Sequence, residues 1–354
     1  MNSIITGTGS YIPDVIIPNS FFVDSVFFET DGSKTQKDND AVIGKFAEIT
    51  GIRERRYAQQ NQVASDLGFF AAQEAVRSAS IDKEDLDYII VAHNFGDVVD
   101  KTNRVNIVPT LASRIKALLR IQNPDCVAYD LPFGCPGWVE GLIHAHTFIR
   151  SGNAKRCLVI GTETLSRVID KHDRDSMIFS DGAGAVIVEA SDAEGGILSH
   201  KTQTHALQHS MLIKMEPSNS PSVRSGSDRY LAMTGRKVYE FALNYVPLVI
   251  KIALEKSNVD LIDVKKILIH QANEKMDHAI ADRLFKLYNL PSTLDKVMPM
   301  TVGFLGNSSV ATVPTLLDLI LKGKLEGHSI THGDKIVFAS VGAGMNINAV
   351  VYQC

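Results

Sequence analysis

The segment Ile81-Asp-Lys-Glu-Asp-Leu-Asp-Tyr-Ile-Ile-Val-Ala92 returns later in the chain as Val259-Asp-Leu-Ile-Asp-Val-Lys-Lys-Ile-Leu-Ile-His270. Aspartates match at two positions, and three consecutive apolar residues match near the end of each segment. A short apolar run that follows polar turn residues is typical of a buried strand. The two segments therefore predict equivalent strands in an internally duplicated chain.

A second similarity supports the duplication. The segments Arg156–Thr162 and Asp181–Val188 resemble the continuous stretch Lys335–Ile347, and they follow the first similarity in the same order. Chance is the alternative explanation, because strand–helix units often share such Asp-x-x-Asp starts. Two similarities in one order favour duplication, with an N-terminal half at residues 1–195 and a C-terminal half at residues 196–354.

Between these segments the chain alternates helical and strand patterns. Helical spacing of apolar residues predicts helices at Ser65–Ser78, Thr110–Leu119 and Gly235–Lys256, whereas the Gly-, Ser- and Asp-rich stretch His205–Asp228 predicts a loop. Further strands are predicted at Asp87–Ala92, Cys126–Asp130, Cys157–Gly161 and Gly184–Glu189. This alternation indicates an α/β fold with an extensive buried sheet.

Composition narrows the class of protein. Lys plus Arg number 36 and Asp plus Glu number 40, so the net charge of −4 gives no basis for nucleic-acid binding. The four cysteines form no CxxC pair, which favours a reducing compartment. No apolar run reaches the roughly 18 residues of a membrane span, and the first residues do not resemble a signal peptide. A cytoplasmic protein without a membrane segment is predicted.

The segment Tyr129-Asp-Leu-Pro-Phe-Gly-Cys-Pro-Gly-Trp138 places one cysteine at a turn between a predicted strand and a predicted helix. Pro136 suits the first helical position, so Cys135 is predicted to cap the helix. The unpaired N–H groups at a helix start lower a cysteine pKa, and the thiolate is the nucleophilic form. Cys135 is thus a candidate nucleophile; a buried structural cysteine is the alternative.

Two other apolar runs end in polar side chains. Ile267–Asn273 contains His270, and Gly303–Ser309 contains Asn307. A duplicated α/β chain places equivalent strand ends opposite each other, which would bring both side chains near Cys135. A thiol, an imidazole and an amide at one place form a candidate catalytic centre.

Taken together, these residues resemble the β-ketoacyl-acyl-carrier-protein synthase III family of thiolase-fold condensing enzymes. The resemblance covers nearly the whole chain in family order. Its motifs are Thr50-Gly-Ile-Arg-Glu-Arg-Arg56, Cys135 at a sharp turn, Phe179-Ser-Asp-Gly-Ala-Gly-Ala185, Ile269-His-Gln-Ala-Asn273, Gly306-Asn-Ser-Ser309 and Gly342-Ala-Gly344. It implies a thiolase-like fold: a duplicated, five-layered αβαβα arrangement, usually in a homodimer.

The resemblance also implies a reaction. Cys135 would take an acyl group from acyl-CoA, with the thioester oxygen held by N–H groups of Cys135 and of the turn Gly342, Ala343, Gly344. His270 and Asn307 would then stabilise the enolate formed when malonyl-acyl carrier protein loses carbon dioxide. The family needs no cofactor or metal beyond these thioester substrates.

Departures from the family pattern concern the substrate. Phe133 lies two residues before the cysteine, in a segment where the family commonly has small residues, and Lys45 replaces a tryptophan that stacks on the CoA adenine. Arg167 matches the arginine on the other side of that adenine, and Arg236 replaces a CoA-contacting asparagine. Val108 occupies the place of a gating phenylalanine, which predicts a bulkier acyl chain. A specialised enzyme that uses a longer or carrier-bound acyl donor is therefore the alternative.

The remaining expectations concern partners and rival classes. Lys275 takes the place of an arginine that contacts acidic carrier-protein helices. A hydroxymethylglutaryl-CoA-forming relative would need a glutamate base near the cysteine, for which Glu140 and Glu163 are the candidates. No protease signature is present, and His144 and His146 are poorly spaced for a metal site. Decarboxylative condensation is the predicted activity.

Overall fold

A computed structural model describes residues 1–291 and 294–354 of the chain. In the described residues the strands are β1 (Asn2–Tyr11), β2 (Val15–Pro18), β3 (Glu54–Tyr57), β4 (Tyr88–Ala92), β5 (Asp97–Val98), β6 (Val105–Asn106), β7 (Val127–Leu131), β8 (Arg156–Thr164), β9 (Asp181–Ser191), β10 (Gly196–Thr204), β11 (Ile213–Glu216), β12 (Tyr230–Met233), β13 (Val264–Ile269), β14 (Lys335–Gly342) and β15 (Asn346–Gln353). The helices are α1 (Asn39–Thr50), α2 (Ala64–Ala79), α3 (Leu111–Leu118), α4 (Gly137–Arg150), α5 (Ala206–His209), α6 (Pro221–Arg224), α7 (Gly235–Ser257), α8 (Glu274–Leu287), α9 (Leu294–Val297), α10 (Val302–Leu305) and α11 (Thr312–Leu321).

Two mixed sheets carry the fold. The first has the order β1-β9-β8-β4-β7 and the second the order β10-β15-β14-β13. Strand β4 is parallel to β7 and β8, and β13 is parallel to β14. The strands of the two sequence similarities take matching places, since β4, β8 and β9 of the first sheet correspond to β13, β14 and β15 of the second.

Five layers follow from the faces of these strands. Helices α4 and α11 lie between the sheets, where Trp138 and Leu316 pack in one cluster with Ile90 of β4 and Phe338 of β14. The next residues of β4 point the other way and pack against α2 and α3. Helices α7 and α8 cover the outer face of the second sheet. Apolar side chains on both faces of a strand are expected for a sheet covered on both sides, and the predicted α/β thiolase-like arrangement is confirmed.

The loop prediction for His205–Asp228 is wrong in part. This stretch contains α5, α6 and strand β11, which pairs antiparallel with β12 from Ile213↔Met233 to Glu216↔Tyr230. The strand is only four residues long, and its partner lies beyond the Ser- and Gly-rich segment. Such pairing depends on distant residues, so local composition did not reveal it.

The predicted boundary between residues 195 and 196 lies between β9 and β10. The two halves pack closely across α4 and α11. The division into two halves stays a prediction. Within residues 1–291 and 294–354, no helix has both the length and the apolar character to cross a membrane.

Candidate active site

Cys135 lies in a tight turn between β7 and α4. Gly134 adopts φ +72°, and a Cβ there would come within 2.8 Å of the Ala343 backbone. Helix α4 begins at Gly137 with Pro136 as its N-cap, so Cys135 stands one residue before the cap. The expectation that Cys135 caps the helix, with Pro136 at the first helical position, is wrong. Pro136 accordingly precedes the first helical turn.

A glycine at position 342 is required by close packing against this cysteine. A Cβ on Gly342 would lie 2.6 Å from the Cys135 nitrogen and 2.8 Å from its Cβ. Gly344 follows at φ +77°, a conformation that suits glycine. The Cys135 turn and the Gly342–Gly344 turn therefore touch each other, as an oxyanion hole made from both would need.

Burial dominates the titration of the thiol. It raises the pKa of Cys135 to about 11, and the negative charge of Glu163 acts in the same direction. The Ser309 hydroxyl donates a hydrogen bond to Sγ at 3.2 Å and lowers this pKa. Hydrogen-bond donors that point at the sulfur therefore favour the thiolate, which is the nucleophilic form of Cys135.

His270 follows the last residue of β13, and its backbone N–H donates to Ala339 O of β14 at 2.9 Å. His270 is 3% exposed, and burial lowers its pKa to about 4. The imidazole is therefore neutral at physiological pH. A neutral imidazole still carries one N–H that can donate to an oxyanion.

Asn307 is held like a residue of a sheet. Its N–H donates to Ile178 O and its carbonyl accepts from Ser180 N, both at 2.9 Å. Its side-chain Oδ1 accepts the Ser309 N–H at 2.9 Å. With the oxygen engaged, the amide NH₂ is the end left for a ligand.

One cavity joins these groups. It has a volume of about 240 Å³ and is lined by Cys135, His270, Asn307, Ser309 and Ala343 among others. A second cavity of about 560 Å³ opens beside it. The two share the wall residues Ile178, Met233, Val238, Ala272 and Met276. The two cavities are therefore adjacent, with mainly apolar walls, and together they are called the path.

The residues predicted to bind substrate are more scattered. Arg236 lines the larger cavity, where its exposed side chain pairs with Glu240 at 3.0 Å. The Arg167 side chain is buried and donates to Gln59 O at 2.8 Å. Arg167, Phe133 and Val108 line neither cavity, and Val108 is 81% exposed. The structure thus groups Arg236 with the path, and leaves the roles of the other three as predictions.

The predicted docking residue lies on the surface close to the exposed residues that line the larger cavity, here called the mouth. Lys275 is exposed on α8 and stands 3.5 Å from Glu48 of α1, which also pairs with Lys45 at 3.0 Å. Lys45 lines the larger cavity. Both lysines share one carboxylate, so a basic rim at this point is partly neutralised. The docking role of Lys275 stays a prediction.

The glutamates considered as bases have different surroundings. Glu140 accepts from Thr202 at 2.7 Å and from Asn348 at 3.1 Å, away from the cavity. Glu163 at the end of β8 is buried, and burial raises the pKa of Glu163 to about 7. Neither lines the cavity, so neither is placed to take a proton from a substrate.

Sequence reasoning missed Asn94 and the side chain of Ser309, which line the cavity with the thiol. A signal for Asn94 was present. It stands two residues beyond β4, and β4 is parallel to its neighbours β7 and β8. The carboxyl ends of parallel strands meet at one edge, where ligands commonly bind.

Comparison with known proteins identifies the family. Models of 3-oxoacyl-[acyl-carrier-protein] synthase III match residues 129–206, and models of its C-terminal part match residues 254–354. The β-ketoacyl-[acyl-carrier-protein] synthase III 1 of Vibrio vulnificus (strain YJ016) is 35% identical over 345 residues, which is 97% of each chain. The chain belongs to the 3-oxoacyl-acyl-carrier-protein synthase III family.

Solved structures agree with this assignment. The synthase III of Aquifex aeolicus VF5 superimposes with a TM-score of 0.78 at 28% identity, covering 99% of this chain and 100% of that one. The enzyme of Pseudomonas aeruginosa PAO1 gives a TM-score of 0.81 at 25% identity, covering 100% and 98%. This synthase III-family chain is therefore a thiolase-fold acyltransferase with condensing activity.

Proposed function

We propose that the protein condenses an acyl-CoA with malonyl-acyl carrier protein through an acyl-Cys135 intermediate. The observation that carries this proposal is the single cavity that brings together Cys135, His270 and Asn307. In the first step the Cys135 thiolate attacks the thioester carbonyl and the carbon–sulfur bond to CoA breaks. CoA leaves as its thiol, with the proton that Cys135 lost on ionisation. The N–H groups of Cys135 and of Gly342–Gly344 hold the oxyanion.

In the second step the malonyl thioester occupies the same cavity. Its carboxylate leaves as carbon dioxide, and the electron pair of the broken carbon–carbon bond forms an enolate. The neutral imidazole of His270 and the amide NH₂ of Asn307 donate to the enolate oxygen, where a carboxylate would repel it. The enolate carbon attacks acyl-Cys135, the thioester bond breaks, and a β-ketoacyl product leaves the free thiolate.

A homodimer and carrier docking near Lys275 complete the proposal. The exposed Lys275 and the cavity-lining Lys45 and Arg236 give the mouth cationic groups suited to an acidic carrier helix. Division of the chain into residues 1–195 and 196–354 is part of the same proposal, supported by the matching strand orders of the two sheets. A dimer is tested by the mass of the protein in solution.

Intact-protein mass spectrometry tests the reaction. Wild type and Cys135→Ala are incubated with acyl-CoAs of increasing chain length and with acyl-carrier proteins. We expect an acyl adduct on wild type alone, which malonyl-carrier protein then discharges. Loading by carrier-bound acyl groups but no CoA ester would favour the alternative donor. Adducts that never discharge would reject condensation in favour of transfer to another acceptor.

A further inference from the structure

Three polar side chains form an unbroken series of hydrogen bonds that ends on the sulfur of Cys135. Glu163 Oε1 accepts the Asn94 backbone N–H at 2.7 Å and also accepts the Asn94 side-chain amide. That amide donates to Ser309 Oγ at 3.0 Å, and the Ser309 hydroxyl donates to Cys135 Sγ at 3.2 Å. The condensation described above gives Glu163 and Asn94 no role.

The number of available hydrogens fixes the direction of the series. An ionised carboxylate only accepts hydrogen bonds, so the side chain of Asn94 meets Oε1 of Glu163 with its NH₂ end. That group has two hydrogens, and the second goes to Ser309 Oγ. Having accepted there, the hydroxyl has a single hydrogen, and Cys135 Sγ lies within its reach.

The strand register and the backbone conformation bring these side chains together. Strands β4 and β8 are parallel with Ala92 opposite Gly161, so Asn94 and Glu163, each two residues further on, are neighbours. Ser309 adopts φ +53°, a left-handed conformation that is uncommon for a residue other than glycine. Such strain clusters at functional sites. A serine at this position keeps a hydroxyl beside the sulfur despite the backbone cost.

Glu163 affects the pKa of the Cys135 thiol in two ways, and the two effects have opposite signs. Its negative charge disfavours the thiolate, whereas its hold on Asn94 keeps a donor aimed at it. Among the described residues, the charged or titratable groups that line the cavity with Cys135 are His270 and Lys214. Behind it, His93 and Asp181 act on Glu163, and His93 pairs with Asp130 at 2.9 Å.

We propose that Glu163 and Asn94 are positioning residues that hold the Ser309 hydroxyl as a hydrogen-bond donor to Cys135 Sγ, and so stabilise the thiolate. This rests on the proposed function only in assigning the thiolate to attack on an acyl thioester. The hydroxyl itself touches the reacting atom. The opposite signs of charge and positioning separate this proposal from a purely electrostatic role for Glu163.

Alkylation of Cys135 by iodoacetamide, followed from pH 6 to 10 on the peptide that contains it, measures thiolate formation without any acyl donor. One hydrogen bond to a charged acceptor corresponds to about one pKa unit, so Ser309→Ala should slow alkylation about tenfold at each pH. Asn94→Ala should slow it several-fold. Ser308→Ala is the matched control, because that neighbouring hydroxyl pairs with Thr312 instead; its profile should equal wild type.

Two substitutions at Glu163 show whether its charge or its positioning of Asn94 has the larger effect on alkylation. Glu163→Leu removes both charge and acceptor and should slow alkylation by less than Asn94→Ala does, because the opposing charge is lost as well. The double variant should be no slower than Asn94→Ala alone. Glu163→Gln keeps an oxygen acceptor and should match or exceed the wild-type rate. Faster alkylation in both variants would overturn the proposal, since charge alone would then explain the effect. If Glu163→Leu fails to fold by thermal melting, Asn94→Ala against Glu163→Gln decides: equal rates overturn the proposal.

Failure of the proposed function gives a different result. A protein whose alkylation profiles follow these expectations but which never forms an acyl adduct would reject the condensation and leave the hydrogen-bond series intact. Normal condensation by wild type, with unchanged alkylation in Ser309→Ala and Asn94→Ala, would do the reverse.

Discussion

The floor of the substrate path and its mouth are built in different ways. On the floor, His270 and Asn307 are fixed by backbone hydrogen bonds to β14 and to the segment at Ile178–Ser180, and both are buried. At the mouth, Lys45, Arg236 and Lys275 are exposed and pair with glutamates on the surface. An exposed ion pair typically adds about 0–1 kcal/mol to stability. A preorganised hydrogen-bond donor in an active site typically lowers the reaction barrier by about 3–4 kcal/mol. We therefore expect substitutions on the floor to change the reaction steps and substitutions at the mouth to change substrate recognition.

The sharpest test of the floor is removal of one enolate donor. His270→Ala or Asn307→Ala should slow decarboxylation about 10²- to 10³-fold, because one preorganised donor to the oxyanion is lost. Acylation of Cys135 should proceed, since that step uses the other set of N–H groups. Mass spectrometry of the acyl adduct and release of carbon dioxide measure the two steps separately. Equal loss in both steps would contradict the separation of the donors.

A second test of the floor uses the contact between the two turns. A methyl group on Gly342 would lie 2.6 Å from the Cys135 backbone nitrogen, so Gly342→Ala should displace the cysteine turn and slow acylation roughly tenfold or more. Gly44→Ala on α1 is the matched control, because a Cβ there meets nothing within 4 Å. Rates of adduct formation compare the two. Wild-type acylation in Gly342→Ala would show that the turns tolerate separation.

Charge reversal tests the mouth and should have a smaller effect. Lys275→Glu places a second carboxylate beside Glu48 and should raise the apparent KM for the carrier-borne substrate several-fold. Acylation by acyl-CoA should stay at the wild-type rate. Steady-state assays at low and high salt check both statements, since the effect should shrink with screening. Equal changes for both substrates would remove the docking role.

The smallest expected effect is the absence of a titration. Because burial lowers the pKa of His270 to about 4, the imidazole stays a neutral donor from pH 8 down to about pH 5. Decarboxylation by Cys135→Ala, which lacks the thiol, should therefore show no fall near pH 6.5. Glu163 could itself titrate in this range, because burial raises its pKa to about 7, so the same measurement is made with Glu163→Gln added. A fall that persists in Cys135→Ala/Glu163→Gln would belong to His270 and contradict the expectation.

Predictions from the sequence succeeded where local pattern and chemistry coincide. The duplicated segments, the long helix from Gly235 and the strands leading to Cys135 and His270 are all present, because apolar periodicity reports which faces are buried. The prediction failed for β11, which depends on pairing with β12. It also placed Pro136 one position too far into its helix. Boundaries and non-local pairs are weakly encoded in a single stretch of chain.

The family and the α/β class were predicted correctly from the motifs and their order along the chain. The same motifs named Cys135, His270 and Asn307 as catalytic candidates, and that role stays a prediction. Other features of the site depend on contacts between distant segments, which the spacing of residues along the chain does not predict. Folding brought Asn94, Glu163 and Ser309, which lie far apart along the chain, into one hydrogen-bond series behind Cys135, and it raised the pKa of that thiol by burial. It also buried Arg167 and exposed Val108. Burial and hydrogen-bond direction are properties of the packed molecule, so they appear only when distant segments meet.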